Sequence, residues 1–186
     1  MPEETRPRVL IITSNVGVER DELLVPRDNL RERGAEVTHA AEEPKAVQTF
    51  LHDSDKDVTV QPDTTLAKVD ANAYDVLVVP GGTVNADNLR VTGEAVSLVR
   101  RFATAGKPVA AICHAPWLLV EAKLLPGKTL TSFHSLRTDI TNAGGSWVDR
   151  PLVRCGENGW ALLTSRDPGD LGDFCEGIAK EVGLSA

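Results

Sequence analysis

Short continuous apolar runs alternate with longer amphipathic stretches along this chain. Arg8–Ser14 (RVLIITS) is apolar and β-branched, and predicts a strand buried on both faces. From about Glu19 to Arg33 the pattern turns helical, with Leu23, Leu24 and Leu30 on one stripe. Pro26 falls inside that stretch and is expected to kink the helix or split it after a first turn. Gly34 stops the helix and Ala35–Ala40 forms the next strand. A strand–helix–strand opening signals α/β architecture with parallel pairing.

The pattern weakens from Glu42 to Asp70. Two short alternating segments flank the polar HDSDK (52–56), which predicts a surface hairpin followed by a polar connection. Tyr74–Gly82 (YDVLVVPGG) is a third core strand ending in a Gly-Gly turn. Residues 94–105 predict an amphipathic helix stopped by Gly106, with Val96, Val99, Phe102 and Ala103 on its apolar side. Pro108–Cys113 is a fourth core strand, and a helix from about Ala115 to Leu124 follows directly. The last third holds GKTLTSF (127–133), a polar helical piece near Leu136–Ala143, a hairpin about Gly156–Gly159, and a final helix after Asp167-Pro168. No repeat, low-complexity tract or linker interrupts the pattern, so a single domain is expected over 1–186. The fold class is a doubly wound, three-layer α/β/α sandwich with a mostly parallel central sheet.

Composition narrows the function. The 186 residues carry a formal net charge of −7, which disfavours nucleic acid and anionic membranes as partners. No apolar run approaches the ~18–20 residues of a membrane span. The charged start MPEETRPRVLII lacks the apolar core of a signal peptide, so a cytoplasmic location is expected. Cys113, Cys155 and Cys175 are too few and too widely spaced for a disulfide framework. Cys155 and Cys175 read as structural. The four histidines show no metal-ligand spacing, and neither a dinucleotide fingerprint nor a phosphate loop is present. No metal and no cofactor is expected.

Three features converge on the carboxyl ends of core strands, where open α/β sheets form their crevices. Cys113 sits at a strand-to-helix turn, the geometry of a nucleophile elbow. A helix N-terminus there would lower the thiol pKa; the alternative is a small buried hydrophobe. His114 can serve Cys113 only if the bend turns adjacent side chains together; otherwise it is a cap or surface residue. Glu19 and Glu22 share a helix face. A carboxylate there would repel a thiolate and raise both pKa values, whereas a protonated carboxyl would donate to the thiolate, the two titrating as a pair; the alternative is an ordinary acidic first turn. Gly81 and Gly82 offer unobstructed N–H groups as an oxyanion site, or simply end a strand.

The segments VERDELLVPRDNLRERGAEV, YDVLVVPGG, ADNLR, GKPVAAICHAPWLL and TSFHSLRTDITNAGGSWVD, in this order and spanning nearly the whole chain, resemble the ThiJ/PfpI superfamily. The likeness is to its PfpI-like intracellular protease branch. The resemblance implies a flavodoxin-like fold, Cys113 as nucleophile, Glu22 as the acid touching the sulfur, and His114 as catalytic histidine. It also implies that Asp87 of a neighbouring subunit orients His114, which requires a dimer or larger ring. Asp87 is one methylene shorter than the glutamate of some members, and the Gly82–Arg90 loop is one residue longer than in some relatives. His134 stands where many relatives carry proline, either as a titratable group at the pocket rim or as a surface change; the second is preferred.

Members of the superfamily act as proteases or amidases, as glyoxalases or deglycases on methylglyoxal adducts, or as redox-responsive stress proteins. Two expectations follow. One is a cysteine-dependent hydrolase or lyase acting on small aldehydes, their adducts or peptide amides. The other is a stress-protective sensor whose Cys113 oxidises selectively with little turnover. A scaffold with a dead site is the least favoured reading, because acid, thiol and imidazole are all present.

Overall fold

The computed structural model describes residues 6–185; the first five residues of the charged N-terminal stretch lie outside them. In chain order the elements are β1 (Arg8–Thr13), β2 (Val16–Glu19), α1 (Arg20–Glu32), β3 (Glu36–Ala41), β4 (Val47–Leu51), β5 (Asp55–Val60) and β6 (Thr64–Thr65). Then come β7 (Val76–Val79), α2 (Thr83–Val91), α3 (Gly93–Thr104), β8 (Val109–Ile112), α4 (Pro116–Glu121) and β9 (Thr129–Leu130). The chain closes with α5 (Arg137–Asn142), β10 (Ser146–Trp147), β11 (Val153–Cys155), β12 (Leu162–Ser165) and α6 (Leu171–Glu181).

The main sheet has the order β11-β12-β8-β7-β1-β3-β6. Its pairings are parallel except for β11 against β12. The innermost strands are apolar throughout because both faces are covered. Along β1, Leu10 and Ile12 face α3 and α4 through Val99, Phe102 and Leu118. Val9 and Ile11 face the other way, toward α1 and α6 through Leu23, Leu30, Phe174 and Ile178. This period-two alternation produces the three layers. Two small sheets lie outside the main one: β2-β4-β5, containing the antiparallel hairpin β4–β5, and β9-β10.

Two differences from the sequence pattern bear on the site. Helix α1 runs through Pro26 as one element. Leu23, Pro26 and Leu30 form its buried stripe, so packing on the sheet holds the helix together across the proline. The lost hydrogen bond falls on the Glu22 carbonyl, within the first turn. The sequence pattern also gave no sign of β2 or α2. These short elements are pressed against each other: a Cβ on Gly17 would lie 2.5 Å from Val84 Cβ. Helix α4 is shorter than the expected Ala115–Leu124 span, because Lys123 adopts a left-handed φ of 59°.

The chain leaves β1 toward β3 on one side and β7 and β8 extend the sheet on the other. Connections therefore diverge between β1 and β7, and a crevice opens at their carboxyl ends. The segments following β1, β7 and β8 carry Glu22, the Gly81-Gly82 turn and Cys113.

Candidate active site

Cys113 follows β8 with φ 63°. A left-handed non-glycine residue costs roughly 1–2 kcal/mol, and both of its backbone groups are tied down. Its N–H donates to Ser165 O at 3.1 Å, and its carbonyl accepts from Phe133 N–H at 2.9 Å. The bend does what a regular strand end would not: it turns the next side chain back. His114 Nδ1 lies 3.0 Å from Cys113 Sγ. Both residues are 4% exposed. The imidazole is stacked on Phe133, centroids 4.7 Å apart, with Trp117 at its edge at 5.3 Å. Two aromatic walls thus hold the ring in one plane.

Glu22, fully buried on the first turn of α1, accepts a hydrogen bond from Gly81 N–H at 2.7 Å through Oε2. Its Oε1 is buried without a partner. Burial pushes this carboxyl up to about 8, against the pull of the Gly81 N–H, with the nearby Glu19 and Asp53 charges raising it further. At neutral pH it is therefore mostly a carboxylic acid beside the thiol, with a proton to donate.

The thiol is raised well above the ordinary cysteine range. Burial is the largest cause and the Glu22 charge the next, while the Gly82 N–H pulls the other way. This reverses the expectation of a thiol lowered by a helix N-terminus. Helix α4 has only six residues and its first is a proline without an N–H, so it offers the sulfur little. Burial also lowers the His114 pKa, opposed by the Asp53 charge and assisted by His134. The resting site thus holds a neutral acid, a thiol and a neutral imidazole.

The other expected positions fall as follows. Gly81 lies in the crevice, and its N–H donates to Glu22 Oε2. Gly82 adopts φ 89° at the start of α2, and its N–H opposes the rise of the thiol pKa. Glu19 does not face the thiol. Its two oxygens accept from the N–H groups of His52 and Asp53 at 2.9 and 3.1 Å, tying down the β4–β5 turn. Asp87 is exposed on α2, and the described hydrogen bonds of His114 do not include it. His134 stands exposed, its ring 4.4 Å from that of Phe133. Cys155 and Cys175 are buried and unpaired.

Two polar residues at the site were not singled out from the sequence. Thr83 Oγ1 lies 3.3 Å from His114 Nε2, and Asp53 bonds both the Thr83 N–H and its hydroxyl. The polar HDSDK tip was visible as a turn. Its meeting with the start of α2 is a tertiary fact that local patterning does not carry.

A sequence model of the DJ-1/PfpI family matches residues 7–181. The chain belongs to the DJ-1/PfpI family. It is 39% identical over 164 residues to "Deglycase PfpI" of Pyrococcus furiosus, covering 88% of this chain and 92% of that one. It is 36% identical over 156 residues to "General stress protein 18" of Bacillus subtilis, covering 84% and 87%. The crystal structure of Drosophila melanogaster DJ-1beta superposes with a TM-score of 0.85 at 34% identity, covering 95% of this chain and 90% of that chain. The flavodoxin-like fold is thus that of the family. Among the described residues no group of three or more His, Cys, Asp or Glu is placed to hold a metal ion, and no helix is long and apolar enough to cross a membrane.

Proposed function

We propose that this protein is a cytoplasmic, cysteine-dependent hydrolase or lyase that acts through Cys113 on small reactive aldehydes, methylglyoxal or its protein adducts. The observation that carries the reading is the 3.0 Å contact between Cys113 Sγ and His114 Nδ1 on a left-handed elbow. The thiol gives its proton to Nδ1, and the thiolate attacks the aldehyde carbon. The carbonyl π-electrons move to oxygen, held by the N–H groups of Gly82 and His114. The imidazolium returns its proton to that oxygen, leaving a hemithioacetal and a neutral base. His114 then takes the C–H proton as the neighbouring carbonyl oxygen gains one, giving an enediol, and delivers it to the neighbouring carbon while the hydroxyl on the sulfur-bearing carbon gives up its proton. The resulting thioester is cleaved by water, which releases the hydroxy acid and restores the thiol. The acid form of Glu22 supports each thiolate stage by donating a hydrogen bond from its unpartnered oxygen.

Because the sulfur is almost wholly buried, small electrophiles reach it more readily than a folded polypeptide. Amide cleavage by the same nucleophile would pass through an acyl-enzyme instead. The relative named as a deglycase supports the aldehyde reading. The test is turnover of methylglyoxal, its amino-acid adducts and peptide amides by wild type and Cys113→Ala. Aldehyde or adduct turnover that disappears in the variant is expected; equal rates in both proteins would overturn it.

The free oxygen of Glu22 also suits an oxidised sulfur, which favours the sensor as a second reading. Against it stands the raised thiol, since the thiolate is the form that reacts with peroxide. Self-association belongs to the proposal too. Val84, Asp87 and Val91 lie on one face of α2, with Val91 80% exposed. A second copy seated there would cover that face.

A further inference from the structure

We propose that Asp53, acting through Thr83, is the positioning group that fixes the tautomer of His114 from within the same chain. The inference rests on reading Cys113 and His114 as nucleophile and base, and it assigns the orienting carboxylate of that site.

Thr83 N–H donates to Asp53 Oδ1 at 2.8 Å, and Thr83 Oγ1 lies 3.0 Å from Asp53 Oδ2. A carboxylate accepts only, so the single hydroxyl proton of Thr83 goes to Asp53. What Thr83 then offers His114 Nε2, 3.3 Å away, is a lone pair. Nε2 must carry the ring hydrogen to use it. Nδ1 is consequently bare and faces Sγ at 3.0 Å, the arrangement needed to take the thiol proton. The opposite tautomer would aim an N–H at a thiol that also needs an acceptor.

The backbone around Asp53 is the second observation. His52 and Asp53 both occupy the left-handed region, with φ of 54° and 61°, at the tip of the β4–β5 hairpin. A hairpin tip that only reversed the chain would be served by Asn-Gly. Here two non-glycine residues are held in that conformation by Glu19, whose buried carboxylate accepts from both of their N–H groups. Strain retained by a dedicated buried group marks a side chain that has to be somewhere particular. The chain Glu19–Asp53–Thr83–His114–Cys113 runs from one side of the crevice to the sulfur. It also occupies Nε2, the nitrogen that a carboxylate from a second copy would otherwise use.

Asp53 additionally caps the first N–H of α2, so the test has to separate capping from tautomer control. Asp53→Asn keeps the capping oxygen but places an NH2 against the Thr83 hydroxyl. That hydroxyl then donates to Nε2 and moves the ring hydrogen to Nδ1. Thr83→Val removes the hydroxyl and leaves the capped N–H in place. The readout is the tautomer of His114 by nitrogen-15 NMR of histidine-labelled protein, assigned with His114→Gln. Wild type and Thr83→Ser should show the Nε2–H form. Asp53→Asn should shift toward Nδ1–H, and Thr83→Val should give a mixture. Asp87→Asn should match wild type. Aldehyde turnover, kcat/KM, should fall roughly 100-fold or more in Asp53→Asn, with the thermal midpoint little changed. An Nδ1–H tautomer in wild type, or an unchanged tautomer in Asp53→Asn, would overturn the proposal. So would a shift in Asp87→Asn but not in Asp53→Asn, which would give the role to the second copy. The predicted tautomers alongside Cys113-independent turnover would sustain the positioning chain and remove the catalytic reading.

Discussion

Glu22→Gln should unfold at a higher temperature than the wild-type protein near pH 8, by on the order of 10 °C, with the gap closing toward pH 4.5. The cause is the buried acid. Its carboxyl has an ordinary value of 4.5 and is pushed to about 8 in the fold. Between those values the native state binds a proton that the unfolded chain lacks. The stabilisation is therefore fully present below about 4.5, falls as pH rises, and is lost above about 8. At about 1.4 kcal/mol per pH unit the span corresponds to at most about 5 kcal/mol. Glutamine keeps an oxygen for the Gly81 N–H and an NH2 for the sulfur, but it never ionises. Thermal unfolding of both proteins across this pH range checks the claim. Parallel curves would show that Glu22 ionises freely in the fold.

Gly81→Ala should destabilise the protein by roughly 2–4 kcal/mol and reduce any Cys113-dependent turnover at least roughly 100-fold. An added Cβ would stand 2.6 Å from Glu22 Oε2, 2.7 Å from Cys113 Cβ and 2.7 Å from Ile112 O. None of these can step aside cheaply. The carboxyl is buried and bonded to the same residue, the cysteine is fixed by two backbone hydrogen bonds, and the third atom is backbone in β8. Gly81 is thus where the Glu22 carboxyl, the Cys113 bend and core strand β8 meet, with room for a backbone and nothing more. Unfolding by denaturant together with aldehyde turnover measures both effects. A variant as stable and active as wild type would mean that the three groups are not held together.

Much of this arrangement was legible in the sequence because the local signals agree with the tertiary result. The runs at Arg8–Ser14, Tyr74–Gly82 and Pro108–Cys113 became β1, β7 and β8, whose burial on both faces makes the pattern continuous. The polar HDSDK and Gly156–Gly159 tips do reverse antiparallel pairs. Cys113 and His114 stood out as a thiol and an imidazole at a strand-to-helix turn, and the family resemblance singled out Glu22. The rest was set by long-range contact. Strand β2 and helix α2 are too short to show a period, and they exist because Gly17 and Gly82 let them approach. Glu19 and Glu22 look alike on a helix face, yet one holds a hairpin tip and the other faces the sulfur. Asp53 and Thr83 are 30 residues apart, and only the folded crevice joins them. The sequence left the direction of the thiol pKa open between a helix terminus that lowers it and a carboxylate that raises it. A strand-to-helix turn suggests a lowered value, whereas the depth of the elbow and the neighbouring acid raise it.

The proposed mechanism requires that Cys113 rest as a thiol and become a nucleophile only when His114 takes its proton. The ultraviolet absorbance of the thiolate, followed against pH as the difference between wild type and Cys113→Ala, tests this directly. No thiolate signal from Cys113 is expected at neutral pH, with an inflection above the ordinary cysteine range. A full thiolate signal persisting down to acidic pH would contradict it, and would identify Cys113 as a standing anion of the kind a redox sensor needs.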